Sequence, residues 1–236
     1  MLVRLNKFIA ESGITSRRKA EELILQGRIS VNNEIVNELS FKINPDADDV
    51  LVDGERIKPR RYVYYLLNKP SGFVSTTNDE KNRATVTDLI KTNEKIFPVG
   101  RLDYNTTGVL LLTNDGNFSN LLTHPKNQIP RVYEVHLDRL LNDDDKTSLL
   151  RGVYIEGEKG VFSRIDFPKI KDRKRVIITC TEGRNRFVKK MFAALGYTVT
   201  SLNRISFAGI LADVPPGKYR KLDISEIKNL IKKYAE

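Results

Sequence analysis

The sequence predicts an α+β fold in two parts: a small helix pair with a short sheet over residues 1–60, and a larger domain over residues 61–236. Three observations predict it. Apolar residues repeat twice at helical spacing near the N-terminus, then give way to short strand-like runs. Beyond residue 60, apolar runs of strand length recur, bounded by Gly, Asn and Asp, with only brief helical patterns between them. Residues 45–49 and 58–61 are polar and Pro59 interrupts them, so the boundary is expected near Arg60, where few apolar residues could cross.

In the first part, Leu2, Leu5, Phe8 and Ile9 mark one apolar helix face, which Gly13 closes. Thr15 or Ser16 caps a second helix with Ala20, Leu23 and Ile24 as its buried stripe, and Gly27 stops it. Residues 28–31 and Ile35 read as strands around the turn Asn32-Asn33. Residues 50–52 and 56–57 form a second hairpin around Asp53-Gly54.

In the second part, residues 62–67 read as a strand that ends in the turn Asn68-Lys69-Pro70-Ser71-Gly72. A short helix is expected over 85–91 and another turn or two of helix over 117–123. Residues 131–137 (RVYEVHL) form a strand, 143–151 a helix, and 152–155 and 161–165 strands. Residues 171–175 (KDRKR) are a basic hairpin tip. A strand over 176–180 runs into a helix starting near Asn185. A strand over 199–206, a turn over 215–220 and a helix over 223–234 complete the chain.

The organising stretch is residues 97–116, FPVGRLDYNTTGVLLLTNDG. It reads as strand, polar loop, strand, so Asp103 sits on a loop between two buried anchors, a usual setting for a catalytic side chain. The spacing alone equally fits a turn aspartate bonded to its own backbone. A second functional segment is residues 176–192, VIITCTEGRNRFVKKMF, in which Arg184, Arg186, Lys189 and Lys190 crowd a helix start. Cations gathered there suit phosphate groups.

Composition narrows the partners. The formal charge is +10, with 40 Lys+Arg against 30 Asp+Glu, which suggests a polyanion and nucleic acid first. Residues 1–60 hold ten basic and ten acidic side chains, so the whole excess lies in the larger part. A DNA-binding helix-turn-helix over residues 2–27 is disfavoured for that reason. Cys180 is the single cysteine, which excludes an internal disulfide, and with only His124 and His136 beside it no zinc pattern exists. No apolar run approaches the roughly 20 residues of a membrane helix. The N-terminus is an amphipathic start and not a signal peptide, so the cytoplasm is the expected compartment and no membrane partner is expected.

GRLD-x-x-T-x-G followed by four apolar residues and T-x-D-G (residues 100–116) resembles the signature of the RsuA/RluB-type ribosomal RNA pseudouridine synthases. NKP-x-G (68–72), R-x-Y-x-V (131–135), EGRNR-x-V-K-K-M (182–191) and L-x-R (202–204) match further motifs of that family. RLNKFIAESG-x-x-SRR near the N-terminus resembles the S-four-like RNA-binding module. The resemblance implies a mixed, largely antiparallel catalytic sheet with a central cleft, and Asp103 as the catalytic residue. It places Tyr133 against the target base, Arg184 as the ionic partner of Asp103, Leu202 on the apolar side of the flipped base, and Arg101 in the gap that base leaves. Arg186, Lys189 and Lys190 would hold phosphates. Arg4, Lys7, Ser16, Arg17, Arg18 and Arg28 would line an RNA face in the N-terminal part. Arg131 stands where Lys is common, Asp138 where Gly is, and Phe187 where Gln or Glu is usual.

The implied reaction detaches uracil from C1′ and rejoins it through C5. It adds and removes no atoms, so it calls for no cofactor, and no Gly-rich phosphate loop or dinucleotide fingerprint is present in the sequence. The implied substrate is ribosomal RNA, free or in an assembling particle, with the large-subunit (23S) type preferred to the small-subunit (16S) type. The chain is expected to act as a monomer. The rival of another class is a non-catalytic RNA-binding or ribosome-assembly protein, against which the set Asp103, Tyr133 and Arg184 argues.

Overall fold

The computed structural model describes residues 2–169 and 172–235. The chain divides into two compact units, Met1–Tyr62 and Val63–Glu236.

The first unit opens with β1 (Val3–Arg4), which pairs antiparallel with β4 (Lys42–Ile43), a strand the sequence pattern does not announce. Helix α1 spans Leu5–Glu11 and buries Leu5, Phe8 and Ile9, while Leu2 stays outside it and exposed. Ser16 caps α2 (Arg17–Leu25), accepting from the Lys19 amide, and Ala20 and Ile24 face the core. Strands β2 (Ile29–Val31), β3 (Glu34–Ile35), β5 (Val50–Val52) and β6 (Glu55–Arg56) form a sheet in the order β3-β2-β5-β6. Both central residues of each two-residue turn have positive φ, 52° and 71° at Asn32 and Asn33, and 51° and 82° at Asp53 and Gly54. Asn and Asp tolerate this backbone better than other side-chain-bearing residues, and it matches the right-handed strand twist.

The second unit is built on a nine-stranded mixed sheet. Its path runs β13 (Arg164–Asp166), β14 (Arg175–Cys180), β10 (Arg131–Leu137), β15 (Val199–Phe207), β9 (Thr107–Thr113), β7 (Tyr64–Lys69) and β17 (Tyr219–Lys221). β8 (Phe97–Pro98) joins β9, and β16 (Ile210–Leu211) joins β15. All pairs are antiparallel except β9 with β15, which are parallel at Thr107–Asn203 and Gly108–Arg204. Gly108 makes that pairing possible: a Cβ there would sit 2.2 Å from the Arg204 carbonyl oxygen, and its φ of +103° strains any side-chain-bearing residue. A separate hairpin, β11 (Val153–Ile155) and β12 (Glu158–Gly160), stands beside the sheet strands in sequence but pairs only with itself.

Helices α3 (Gly116–Thr123), α4 (Asp143–Arg151), α5 (Phe187–Ala193) and α6 (Ile224–Tyr234) cover the sheet. One face packs Leu67, Leu110, Val135, Ile178 and Leu202 with Phe162, Met191 and Phe192. The other packs Leu66, Val109, Leu111 and Phe207 with Phe118 of α3 and Ile227 and Leu230 of α6. Alternation along β9 sends Val109 and Leu111 to one side and Leu110 and Leu112 to the other, so both faces are apolar and both are covered.

Four expectations need correction. Residues 85–91 form turns and not a helix: Thr85 bridges Val74, and the β-branched run Thr85-Val86-Thr87 suits extended backbone better than a first helical turn. The strand expected over 161–165 is split, with β12 ahead of it and only Arg164–Asp166 paired behind. The 215–220 turn runs into β17, which edges the sheet beside β7. Helix α5 begins at Phe187, two residues later than Asn185, because Arg186 adopts a left-handed backbone with φ 52°. Lys171 of the basic tip lies outside the described residues. Its neighbours Arg173 and Arg175 are engaged by Asp143 and Glu134.

Candidate active site

The loop between β8 and β9 carries Asp103. Two lysines from distant elements grip it. Lys69, the last residue of β7, is 0 % exposed and has no carboxylate partner among the described residues. Its ammonium donates to the main-chain oxygens of Pro70, Asp103, Tyr104 and Thr106 at 3.1, 3.2, 3.2 and 2.9 Å. An ammonium has three hydrogens for these four acceptors, so the loop wraps tightly around one charge. Ser75 adds a reciprocal clamp on Leu102, accepting its amide at 3.1 Å and donating to its carbonyl at 2.9 Å. The main chain of the loop is therefore held from beneath, and the Asp103 side chain is left to face elsewhere.

That side chain meets Lys189 of α5, whose Nζ donates to Asp103 Oδ2 at 2.8 Å, with both side chains partly exposed. Asp103 is thus not a turn aspartate capping its own loop. The partner also corrects the sequence-based assignment. Arg184 does not pair with Asp103; its guanidinium binds Glu182 at 2.6 Å and Glu158 at 3.0 Å and donates to the Lys159 carbonyl at 3.3 Å. Spacing could not separate the two cations. Arg184 precedes α5, whereas Lys189 lies on its first turn, beside the buried Phe187 and Val188.

Asp103, Arg101, Tyr133, Leu202, Arg184 and Arg186 line one cleft, together with Arg131, Arg204 and Phe207. Arg101 is exposed at its mouth. Tyr133 is buried on β10, where desolvation holds its hydroxyl proton more tightly and the Arg204 guanidinium opposes that shift. Leu202 is buried two residues before Arg204 on β15. Phe187 replaces a polar contact with packing: its ring meets Phe162 edge-on at 5.8 Å and carries the Arg184 guanidinium 5.2 Å above it. Lys190 lies off the cleft lining and pairs with Glu156 at 2.7 Å. Cys180 is buried, and desolvation pushes its thiol up to about 12, so it is a packing residue and no nucleophile.

The floor of the cleft holds two buried arginines that sequence reasoning did not assign. Arg131 donates to the carbonyls of Ile129 and Thr181. Arg204 donates from Nε to the Val109 carbonyl at 2.8 Å and stacks 4.5 Å over Phe207. The signal available for both was a basic residue in an otherwise alternating strand whose face is apolar.

In the N-terminal unit the proposed face is mixed. Arg17 and Arg18 are exposed at the start of α2. Arg4 is exposed and donates to the Leu39 carbonyl, and Lys7 lies 3.7 Å from Glu11. Two expected contacts are spent internally: the Ser16 oxygen caps α2, and Arg28 forks onto Asp53 through Nε and Nη2 at 2.7 and 2.5 Å.

Comparison with known proteins identifies the family. Residues 63–194 match the family of RNA pseudouridylate synthases, and residues 3–49 match the S4 domain. An RNA pseudouridine synthase of Aquifex aeolicus (strain VF5) is 40 % identical over 98 % of this chain and 95 % of its own length. The ribosomal large subunit pseudouridine synthase B of Bacillus subtilis (strain 168) is 40 % identical over 96 % of this chain and 95 % of its own. A crystal structure of a pseudouridylate synthase superposes with a TM-score of 0.68 at 33 % identity, covering 97 % of this chain and 99 % of the other. With a clamped aspartate in a basic cleft and likeness along nearly its whole length, the chain belongs to the RNA pseudouridine synthases.

Proposed function

We propose that this synthase acts site-specifically on ribosomal RNA of the large subunit and that Asp103 opens the reaction. The observation that carries the reading is the Asp103 carboxylate, presented by a loop clamped on Lys69 and met by Lys189 in a cleft walled by Tyr133 and Leu202. A base inside a helix cannot reach such a cleft, so the uridine must be flipped out. Tyr133 then faces the extruded ring, Leu202 closes its apolar side, and Arg101 at the mouth fills the gap in the stack.

Asp103 acts at the sugar, by attack on C1′ or by removal of the C2′ proton. Either route breaks the C1′–N1 bond, and formation of the C1′–C5 bond then releases the carboxylate from C1′ or is accompanied by return of the proton to C2′. The cations Arg184, Arg186 and Lys190 hold phosphates of the flanking backbone, and the exposed Arg17 and Arg18 of the N-terminal domain bind RNA phosphates of their own. We place the division between an RNA-binding domain and a catalytic domain near residue 60. The full likeness to the Bacillus large-subunit enzyme supports the choice of RNA. We take the protein to act as a monomer in the cytoplasm, where ribosomal RNA is made.

The test is to map pseudouridine in both ribosomal RNAs from cells with and without the protein. One large-subunit position should lose its modification. Loss from the small-subunit RNA would move the substrate, and no loss from either would overturn the reading.

A further inference from the structure

Two guanidinium groups lie in the cleft floor with 7 % and 3 % residual exposure, Arg131 and Arg204. Neither has a carboxylate partner among the described residues. Arg131 spends its bonds on two carbonyls. Arg204 spends Nε on the Val109 carbonyl, and its Nη2 is buried without any hydrogen-bond partner. Burial of an incompletely paired charged donor costs free energy, so its retention calls for a compensating group. Phe207, beneath both guanidiniums at 5.5 and 4.5 Å, offers only its ring face. What the floor lacks is an anion.

The reaction makes one. When the C1′–N1 bond breaks, its electron pair stays with uracil and spreads over N1 and the two carbonyl oxygens. The ring turns, the pair at C5 forms the new bond to C1′, the C5 hydrogen leaves as a proton and N1 takes one up. Charge on the base exists only between the two bond events, whichever way Asp103 acts at the sugar.

We propose that Arg204 is a further catalytic residue, whose guanidinium receives the negative charge of the detached uracil. Register puts it in place. Arg204 and Tyr133 are direct cross-strand partners on β15 and β10, so a ring lying against Tyr133 has Arg204 one side-chain spacing away. Their hydroxyl and guanidinium already act on each other, each opposing the shift that burial imposes on its neighbour. The bond to Val109 and the stack on Phe207 fix the guanidinium plane before substrate arrives, which is what makes such a donor effective at a developing charge. Arg131 stands behind it as a second positive centre.

This rests on the synthase reading of the cleft, and the test separates the two. The target RNA is prepared with uridine or with 5-fluorouridine at the modified position. Fluorine withdraws charge from the detached ring and so lessens its need for an external cation. It also blocks proton loss from C5, so single-turnover consumption of the N-linked nucleoside is followed. Arg204→Gln should slow uridine by about 10²–10³-fold, and 5-fluorouridine by roughly tenfold less than that. Arg204→Lys, which keeps the charge in a site already fitted to a cation, should show the same ordering with smaller losses. It decides the matter if the Gln variant does not fold.

RNA affinity and melting temperature are measured beside each rate. Equal losses on both substrates, or none, overturn the proposal and make Arg204 a structural residue. A wild-type protein that consumes neither nucleoside overturns the synthase reading itself.

Discussion

The floor and the rim of the cleft treat positive charge in opposite ways. Arg131 and Arg204 on the floor, and Lys69 inside the Asp103 loop, are buried and bonded to main-chain carbonyls, with no carboxylate partner among the described residues. At the rim, Arg184 is held by the partly buried Glu182 and by Glu158, and off the cleft lining Lys190 pairs with Glu156; the side chains of Glu158 and Glu156 are 74 % and 71 % exposed. Main-chain carbonyls cannot leave, so the floor charges are fixed before substrate binds. Solvated carboxylates can leave, and an exposed ion pair is worth only about 0–1 kcal/mol. The rim cations are therefore exchangeable, and phosphate can take the place of glutamate. Lys189 stands between the two regimes, pairing with the carboxylate proposed to open the reaction.

Four predictions sharpen that contrast. Asp103→Asn carries the largest effect: a loss of turnover of about 10⁴-fold or more by single-turnover assay, since it removes the group that starts the reaction. Lys189→Met should lower turnover about 10²-fold with RNA affinity nearly unchanged, and Lys189→Arg should recover most of it. An affinity loss in place of a rate loss would move Lys189 to the rim.

The third concerns pH. Burial pushes the Lys69 ammonium from 10.5 down to about 8, against the pull of the Asp103 carboxylate. Above about 8 the folded chain releases a proton that the unfolded chain keeps until 10.5, so this group's contribution to stability rises with pH across that window. The clamp meanwhile loses a hydrogen. Turnover should fall as pH passes about 8 without a Lys69-linked drop in melting temperature. A pH–rate profile level to about pH 10 would remove the clamp from the account.

The smallest effects lie at the rim. Arg184→Gln or Lys190→Gln should reduce the salt slope of RNA binding by about one each and leave turnover at saturating RNA intact. Glu158→Gln, which removes one of the two carboxylates on Arg184, should tighten binding about two- to threefold in a filter or fluorescence titration. Weaker binding by that variant would show that the pair serves structure.

Much of this was legible in the sequence because local chemistry decided it. Asn32-Asn33 and Asp53-Gly54 had to be tight turns, and Asp143 to Arg151 a helix with acids at its start and a base at its end. The apolar runs around Asp103 had to be strands. What local pattern could not carry was long-range partnership. Lys69 looked like one letter of a turn signal, since nothing nearby in sequence shows that residues 103, 104 and 106 return their carbonyls to it. Arg184 and Lys189 share one motif and one charge, and the motif does not show that Arg184 is taken by Glu182 and Glu158 while Lys189 reaches Asp103. Arg204 stood only as the last letter of the L-x-R motif, with no role assigned. Its burial follows from the parallel pairing at Gly108, which no periodicity reveals.

The most direct test sets product formed per bound RNA beside equilibrium RNA affinity for the wild type, Asp103→Asn and Arg184→Gln in one buffer. The account predicts that Asp103→Asn binds RNA within about threefold of wild type yet forms no pseudouridine, while Arg184→Gln binds less tightly and turns over normally once saturated. Pseudouridine formed by Asp103→Asn, or an Arg184→Gln protein that binds normally and is inactive, would contradict it.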